Sequence, residues 1–206
     1  MALLRLSNGR VYININEIND IVAPLKIGTF NLPESARTTV ASFSHPLSKP
    51  DAMTVLKLLD PKVVDMVTKE GFSHRRVGNV VPSPKQDGSF AFVTRDENSS
   101  GDTPPIARSP KEVADYLIPH HVQVNDWHFV YSGGIIKGVQ LKGDLQGVVY
   151  CGAGEWIRLN PTILNWPIFP YGQATVAVSY FDRPFAGGPF KMDLHQEVQV
   201  KPGMTY

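Results

Sequence analysis

PHHVQVNDWHFVYSGG, residues 119–134, carries three of the chain's six histidines, one aspartate and a closing pair of glycines. In an extended strand, side chains an even number apart share a face. His120, Val122, Val124, Asp126, His128 and Val130 then form one face. His121, Gln123, Asn125, Trp127, Phe129 and Tyr131 form the other. The first face gathers two imidazoles and a carboxylate among valines. That suits the inside of a small pocket, where burial perturbs ionisation. One bulge exchanges the faces and turns His121 and Gln123 inward, so both registers stay open here. Asp126 after Asn125 also has a plainer reading, as part of a turn.

The grammar downstream is uniform. IIKGVQLKG (135–143), LQGVVYCGAG (145–154), EWIRLNP (155–161), NWPIFPYG (165–172) and ATVAVSYFD (174–182) are short β-prone runs punctuated by glycine, asparagine or proline. Such spacing predicts a sandwich or barrel. LKGDLQG and GAG read as turns and lack the spacing of a phosphate-cradling loop.

Upstream the elements are mixed. LLRLSNGRVYINI (3–15) reads as a hairpin about Asn8-Gly9. NEINDIVAPLKIG (16–28) reads as a short helix ending near Pro24. SKPDAMTVLKLLD (48–60) and PKVVDMVTKEG (61–71) read as two helices, with Asp60 capping the second and Pro61 in its first turn. Residues 82–110 are turn-rich, with a strand at SFAFVTR and a loop around 96–106, before a short helix at PKEVADYL (110–117). The last 24 residues hold one more candidate strand, HQEVQV (195–200), in a tail that wraps the surface or reaches a partner subunit.

Composition bounds the function. The chain has 206 residues, 42% of them hydrophobic, and a formal net charge of +1. That predicts one folded domain: an N-terminal hairpin, helices and loop-rich segment over 1–118, barrel strands over 119–182 and a tail over 183–206. The near-neutral balance argues against nucleic-acid binding by phosphate neutralisation. Arg75-Arg76, the basic doublet, reads as solvated surface, as do His45, His74 and His195. A single cysteine, Cys151, excludes an intrachain disulfide and a multi-thiolate zinc site, and it reads as a small buried hydrophobe. No run of about 18 apolar residues is present, so no membrane span is expected. The amino terminus lacks a secretory signal, and a cytoplasmic location is the expectation.

The run at 119–134 resembles the first motif of the cupin barrel, G-x5-H-x-H-x3-E-x6-G, as His120-x-Val122-x3-Asp126-x6-Gly133. Gly154-x5-Asn160-x-Thr162-x2-Asn165 resembles the second, G-x5-P-x-G-x2-H. Within the cupins the likeness is to the acireductone dioxygenases. LRLSNGRVYININEINDIVAPLKIG, KEGFSHRRVGNVVP and ATVAVSYFD carry it, over most of residues 3–182, with 30–50 and 85–110 poorly matched. The resemblance implies a mainly β, double-stranded β-helix (jelly-roll) barrel with a few N-terminal helices packed outside. It also implies an iron or nickel ion held by three histidines and a glutamate. Here His120 matches the first histidine, Val122 stands at the second, Asp126 replaces the glutamate and Asn165 replaces the last histidine. His128 falls where the family has arginine. Valine has no lone pair to donate, and an amide oxygen is a weak ligand for iron or nickel.

The expectation is therefore a pocket retained without its metal. His120, Asp126 and His128 would supply acid and base groups, and Asn165 would donate to a carbonyl or enolate oxygen. Trp156, Trp166, Phe169, Tyr171 and Val122 would wall an apolar substrate. Such equipment suits isomerisation, cyclisation or elimination beside a carbonyl. Two other readings stand beside it. One is an iron- or nickel-dependent dioxygenase with a rebuilt ligand set, for which His120, Asp126 and His128 are the candidates. The other is a ligand-binding cupin without catalysis. A small-molecule substrate and a homodimer complete the expected partners.

Overall fold

The computed structural model describes residues 1–82, 90–96, 106–108, 118–168, 173–183 and 192–204. In chain order the elements are β1 (Leu3–Leu6), β2 (Val11–Tyr12), α1 (Ile15–Val22), β3 (Lys26–Thr29), α2 (Glu34–Ala41), α3 (Lys49–Lys57), α4 (Pro61–Lys69), β4 (His74–Pro82), β5 (Phe90–Asp96) and β6 (Ile106–Arg108). The barrel strands follow: β7 (His120–Val122), β8 (Asp126–Ser132), β9 (Gly134–Gln140), β10 (Gln146–Gly152), β11 (Glu155–Leu159), β12 (Asn165–Ile168), β13 (Thr175–Phe181) and β14 (Met192–Leu194).

Two seven-stranded antiparallel sheets form, in the orders β14-β7-β12-β9-β10-β1-β2 and β3-β11-β8-β13-β4-β5-β6. From β7 onward each connection changes sheet, except the β9–β10 hairpin. That alternation makes the jelly roll. The glycines seen in the sequence serve it. Gly133, at φ 69°, turns the chain from β8 into β9, where a Cβ would strike the backbone of Ala174 and Thr175.

The start of α4 was legible because its cap is local. Asn14 accepts the backbone N–H of Asn16 at 2.9 Å, and Asp60 accepts that of Lys62 at 2.8 Å with Pro61 as the first helical residue. The outer face of the second sheet is covered by α2, α3 and α4. Val40, Val55, Leu56 and Val67 pack there on Val77, Trp127, Phe129, Tyr131, Val176 and Val178. Between the sheets a second apolar cluster joins Leu4, Val139, Val149 and Cys151 to Val130, Ile157 and Leu159, with α1 contributing Ile18 and Val22. Burial on both sides explains why every residue of TVAVSYF in β13 is buried, without alternation.

Four expectations change. The run 119–134 is two strands, not one, because the chain leaves the first sheet at Gln123–Asn125 and enters the second at Asp126. The terminal strand is Met192–Leu194, and 195–200 turns instead, with the Val198 N–H on the His195 carbonyl at 3.1 Å. Helix α2 and strand β3 were not anticipated. Arg75 and Arg76 are half-buried, and Arg76 lies 4.6 Å over the Phe181 ring, so the doublet is not a solvated patch. The loop expected near 96–106 lies mostly outside the described residues, and the helix at 110–117 wholly so.

Candidate functional site

Strand register decides which side chains face each other between the sheets. In β8, Trp127, Phe129 and Tyr131 point to the helices, so Asp126, His128 and Val130 point inward. Beside them on β13, Ser179 pairs with His128 and Phe181 with Asp126. Beyond on β4, Arg76 pairs with Ser179 and His74 with Phe181, so both are inward too. His74 is half-buried rather than the surface residue expected.

From the opposite sheet, Ile135 and Val139 of β9 reach the interior cluster, which places Lys137 on the same inward row. Asn165 of β12 pairs with Val139 and also with His120 of β7, so those two are inward as well. The next residue on β12, Trp166, faces out onto Ile136, Ile168 and Met204. His120, Lys137 and Asn165 therefore look across at Asp126, His128, Ser179 and Arg76. One end of the interior is apolar and the other carries this polar set.

Hydrogen bonds give the set a direction. His128 Nδ1 lies 2.6 Å from Ser179 Oγ, and Nε2 lies 2.9 Å from Asp126 Oδ2. With Asp126 ionised and the ring neutral, Nε2–H donates to the carboxylate and the serine hydroxyl donates to Nδ1. Asp126 is nearly buried, and its second oxygen, Oδ1, has no partner among the described residues. Asn165 is 1% exposed; its amide nitrogen donates to the carbonyls of His120 at 3.3 Å and Ile163 at 3.2 Å. Its Oδ1 is left buried without a partner among the described residues. The expected role is thus reversed: Asn165 offers an acceptor, not a donor. A buried unmet acceptor costs about 1–3 kcal/mol, which a ligand's hydroxyl would recover.

His120 is 3% exposed and its Nδ1 meets the Ile118 carbonyl at 2.8 Å. Burial holds its pKa below the usual 6.5, and the positive charge of Lys137 adds to that. Burial lowers Lys137 likewise, opposed by the charge of Asp126. Lysine at 137 was missed by the sequence reading. Ile135, Lys137 and Val139 alternate with Ile136 and Gly138, and that pattern was the available signal.

The aromatic wall is placed differently from expectation. Trp156 lies on the helix side of its sheet, 4.9 Å from the Trp127 ring, with Nε1 donating to the Thr29 carbonyl at 3.1 Å. Trp166 is fully buried on the outer face of the other sheet, where Nε1 donates to the Met204 carbonyl at 3.2 Å. Neither joins the polar set. Val122 shares the inward face of β7 with His120, while Phe169 and Tyr171 lie outside the described residues. Phe181, unpredicted, does stand beside His128, at 6.4 Å between ring centroids. On the outer face of β7, His121 meets His195 at 5.0 Å, and His195 meets Glu197 at 2.8 Å.

No protein-family profile matches the sequence, and no curated protein matches it. Among solved structures, the fold is similar to that of acireductone dioxygenase from Bacillus anthracis, described with a cadmium ion in its active centre. The two share 14% identity with a TM-score of 0.65, over 89% of this chain and 94% of that one.

Whether these residues fit such a metal is a matter of their donors. Among the described residues, no three His, Cys, Asp or Glu side chains are grouped to hold an ion. Both nitrogens of His128 are engaged within the protein, Asn165 presents only an amide oxygen, and Val122 presents nothing. The set does not fit a three-histidine, one-carboxylate centre. What the likeness establishes is the architecture: two antiparallel sheets closed as a jelly roll, similar in fold to that dioxygenase.

Proposed function

We propose that this chain is an enzyme acting on a small hydroxylated carbonyl compound by proton transfer, without a resident metal. The observation that carries the reading is the Ser179–His128–Asp126 relay facing His120 and Lys137 across the interior. In this reading Ser179 Oγ takes a proton from the carbon beside the carbonyl and passes its own to His128 Nδ1, because the ring is oriented from both ends. Asp126 steadies the imidazolium that forms. His120, kept neutral by burial, relays a proton on the opposite face. The unmet oxygens Asp126 Oδ1 and Asn165 Oδ1 accept hydrogen bonds from substrate hydroxyls. A positioned proton carrier of this kind is worth roughly 10²- to 10⁴-fold in rate. Isomerisation, cyclisation and elimination all begin with that step.

The test is solvent exchange. Dihydroxyacetone in D2O is followed by NMR with the wild-type protein, with and without EDTA. The expected result is deuterium uptake that EDTA leaves unchanged and that His128→Ala abolishes. Uptake no faster than that of the His128→Ala variant counts against the reading. The fold neighbour's cadmium keeps a metal-dependent oxygenase as the alternative. Stoichiometric iron or nickel in protein purified without chelator, lost together with activity, would decide for it.

A further inference from the structure

We propose that Lys137 is a covalent catalytic residue, whose side-chain amine forms an imine with the carbonyl carbon of the substrate. This deepens the function proposed above and rests on its site, but it is tested by a different readout.

Three observations converge on this lysine. Register places it on the inward row of β9, between Ile135 and Val139, beside the inward Asn165 on β12. The residue is half-buried and keeps accessible surface, so the position is not sealed within the core. Among the described residues no carboxylate forms an ion pair with its ammonium, since Asp126 is already committed to His128. A lysine in that position gains little by staying charged. The groups facing it are Asp126 and His128 from β8, His120 from β7 and Arg76 from β4. Asp126 favours its charged form, whereas the lysine and His120 each disfavour a positive charge on the other.

A neutral amine is a nucleophile, as an ammonium is not. Its lone pair attacks the carbonyl carbon, a C–N bond forms, and the C=O π pair moves to oxygen, which takes a proton. The amine nitrogen gives up one proton to His120. Protonation of the carbinolamine hydroxyl lets it leave as water while the nitrogen pair closes the C=N bond. The sum is amine, carbonyl and one proton giving a protonated imine and water, with no oxidant or reductant. Once protonated, the imine withdraws electrons from the neighbouring carbon more strongly than the carbonyl did. Loss of the C–H proton to the Ser179–His128 relay becomes easier. The same lysine explains how a cupin interior without a Lewis acid would stabilise a carbanion.

The experiment is reductive trapping in the wild-type protein. Dihydroxyacetone is added with sodium cyanoborohydride near neutral pH, and peptides are mapped by mass. Hydride adds to the imine carbon, so a modified lysine gains the mass of the ketone less one oxygen atom. Lys137 is expected to be labelled at least tenfold faster than the exposed Lys57 and Lys69, which serve as internal controls. Equal or slower labelling overturns the proposal. Because the comparison is made within one folded protein, no variant has to fold for it to count. Lys137→Arg supplies the second arm: it keeps a cation but cannot form the imine, and it should lower deuterium uptake at least tenfold. Unchanged uptake in that variant also overturns the proposal. Uptake without trapping leaves the acid–base function standing and removes only the covalent step. Trapping without uptake does the reverse.

Discussion

Asp126 and His128 stand two positions apart on the inward face of β8 and are joined through Oδ2 and Nε2 at 2.9 Å. The other ring nitrogen is held by Ser179 from the neighbouring strand at 2.6 Å. Two anchors leave the imidazole one orientation and fix which nitrogen carries the proton. Asp126→Asn removes the negative charge that steadies the imidazolium, whereas Ser179→Ala removes a neutral bond. The expected order of turnover is wild type, then Ser179→Ala, then Asp126→Asn, with the last at least tenfold below wild type. Steady-state kinetics on one exchanging substrate checks it, and equal losses in the two variants would contradict the charge argument.

His120 makes stability depend on pH in a particular direction. Its folded pKa lies below the unfolded 6.5 because burial disfavours the cation. Between those two values the unfolded chain binds a proton that the native one does not. Stability from this residue is therefore complete above about pH 6.5 and is lost as the pH falls towards the folded pKa. Thermal melts of wild type and His120→Gln across this range should diverge, with the variant showing the flatter acid limb.

Lys137 should cost stability. Lys137→Met keeps the stem and removes the amine, and it is expected to raise Tm by a few degrees, on the order of 1 kcal/mol. The sign also changes with pH. The folded pKa is lowered from 10.5, so wild-type stability rises with pH between the folded value and 10.5. The advantage of the methionine variant should shrink as the buffer moves from about pH 7 to about pH 9.5. Calorimetry at the two values checks both statements.

Cys151 lies on β10 with no exposed surface, and burial, reinforced by nearby Glu155, pushes its thiol well above the normal range. The native protein should leave a thiol reagent unreacted over hours and release one equivalent at once in guanidinium. Fast labelling of the native state would contradict its place in the core.

Gly138 faces Trp166 across the outer surface of the first sheet, and a Cβ there would overlap the indole ring. Gly138→Ala is expected to destabilise by about 1–3 kcal/mol through overpacking. Trp166→Leu combined with it should recover part of the loss, because the smaller side chain clears the space. A chemical-denaturation double-mutant cycle measures the coupling.

How much of this was written in the sequence differs by residue. The two faces of β8 were legible because alternation is a local rule. Asp60 was legible as a cap for the same reason, whereas Asn14, read as strand, was not. Helix α2 was not, since it starts after Pro33 with no side-chain cap to announce it. The break at Gln123–Asn125 was hidden because a strand that changes sheets keeps the same β-prone residues. Trp156 and Trp166 look identical in a one-dimensional pattern, yet each faces away from the interior. Their sides are set by long-range pairing with Phe129 and Gly138. Lys137 was overlooked because a lysine in a run of aliphatic residues looks like the solvent side of a strand. Only a second sheet closing over it makes that position the inside.

The two sides of the helix-covered sheet have separate duties. Trp127, Phe129 and Tyr131 grip the helices, while Asp126, His128 and Ser179 hang free of that grip. Exchanging a group on the reactive side leaves the clasp on the other side untouched. A lineage built this way can rewrite its chemistry one residue at a time and keep the scaffold it started with.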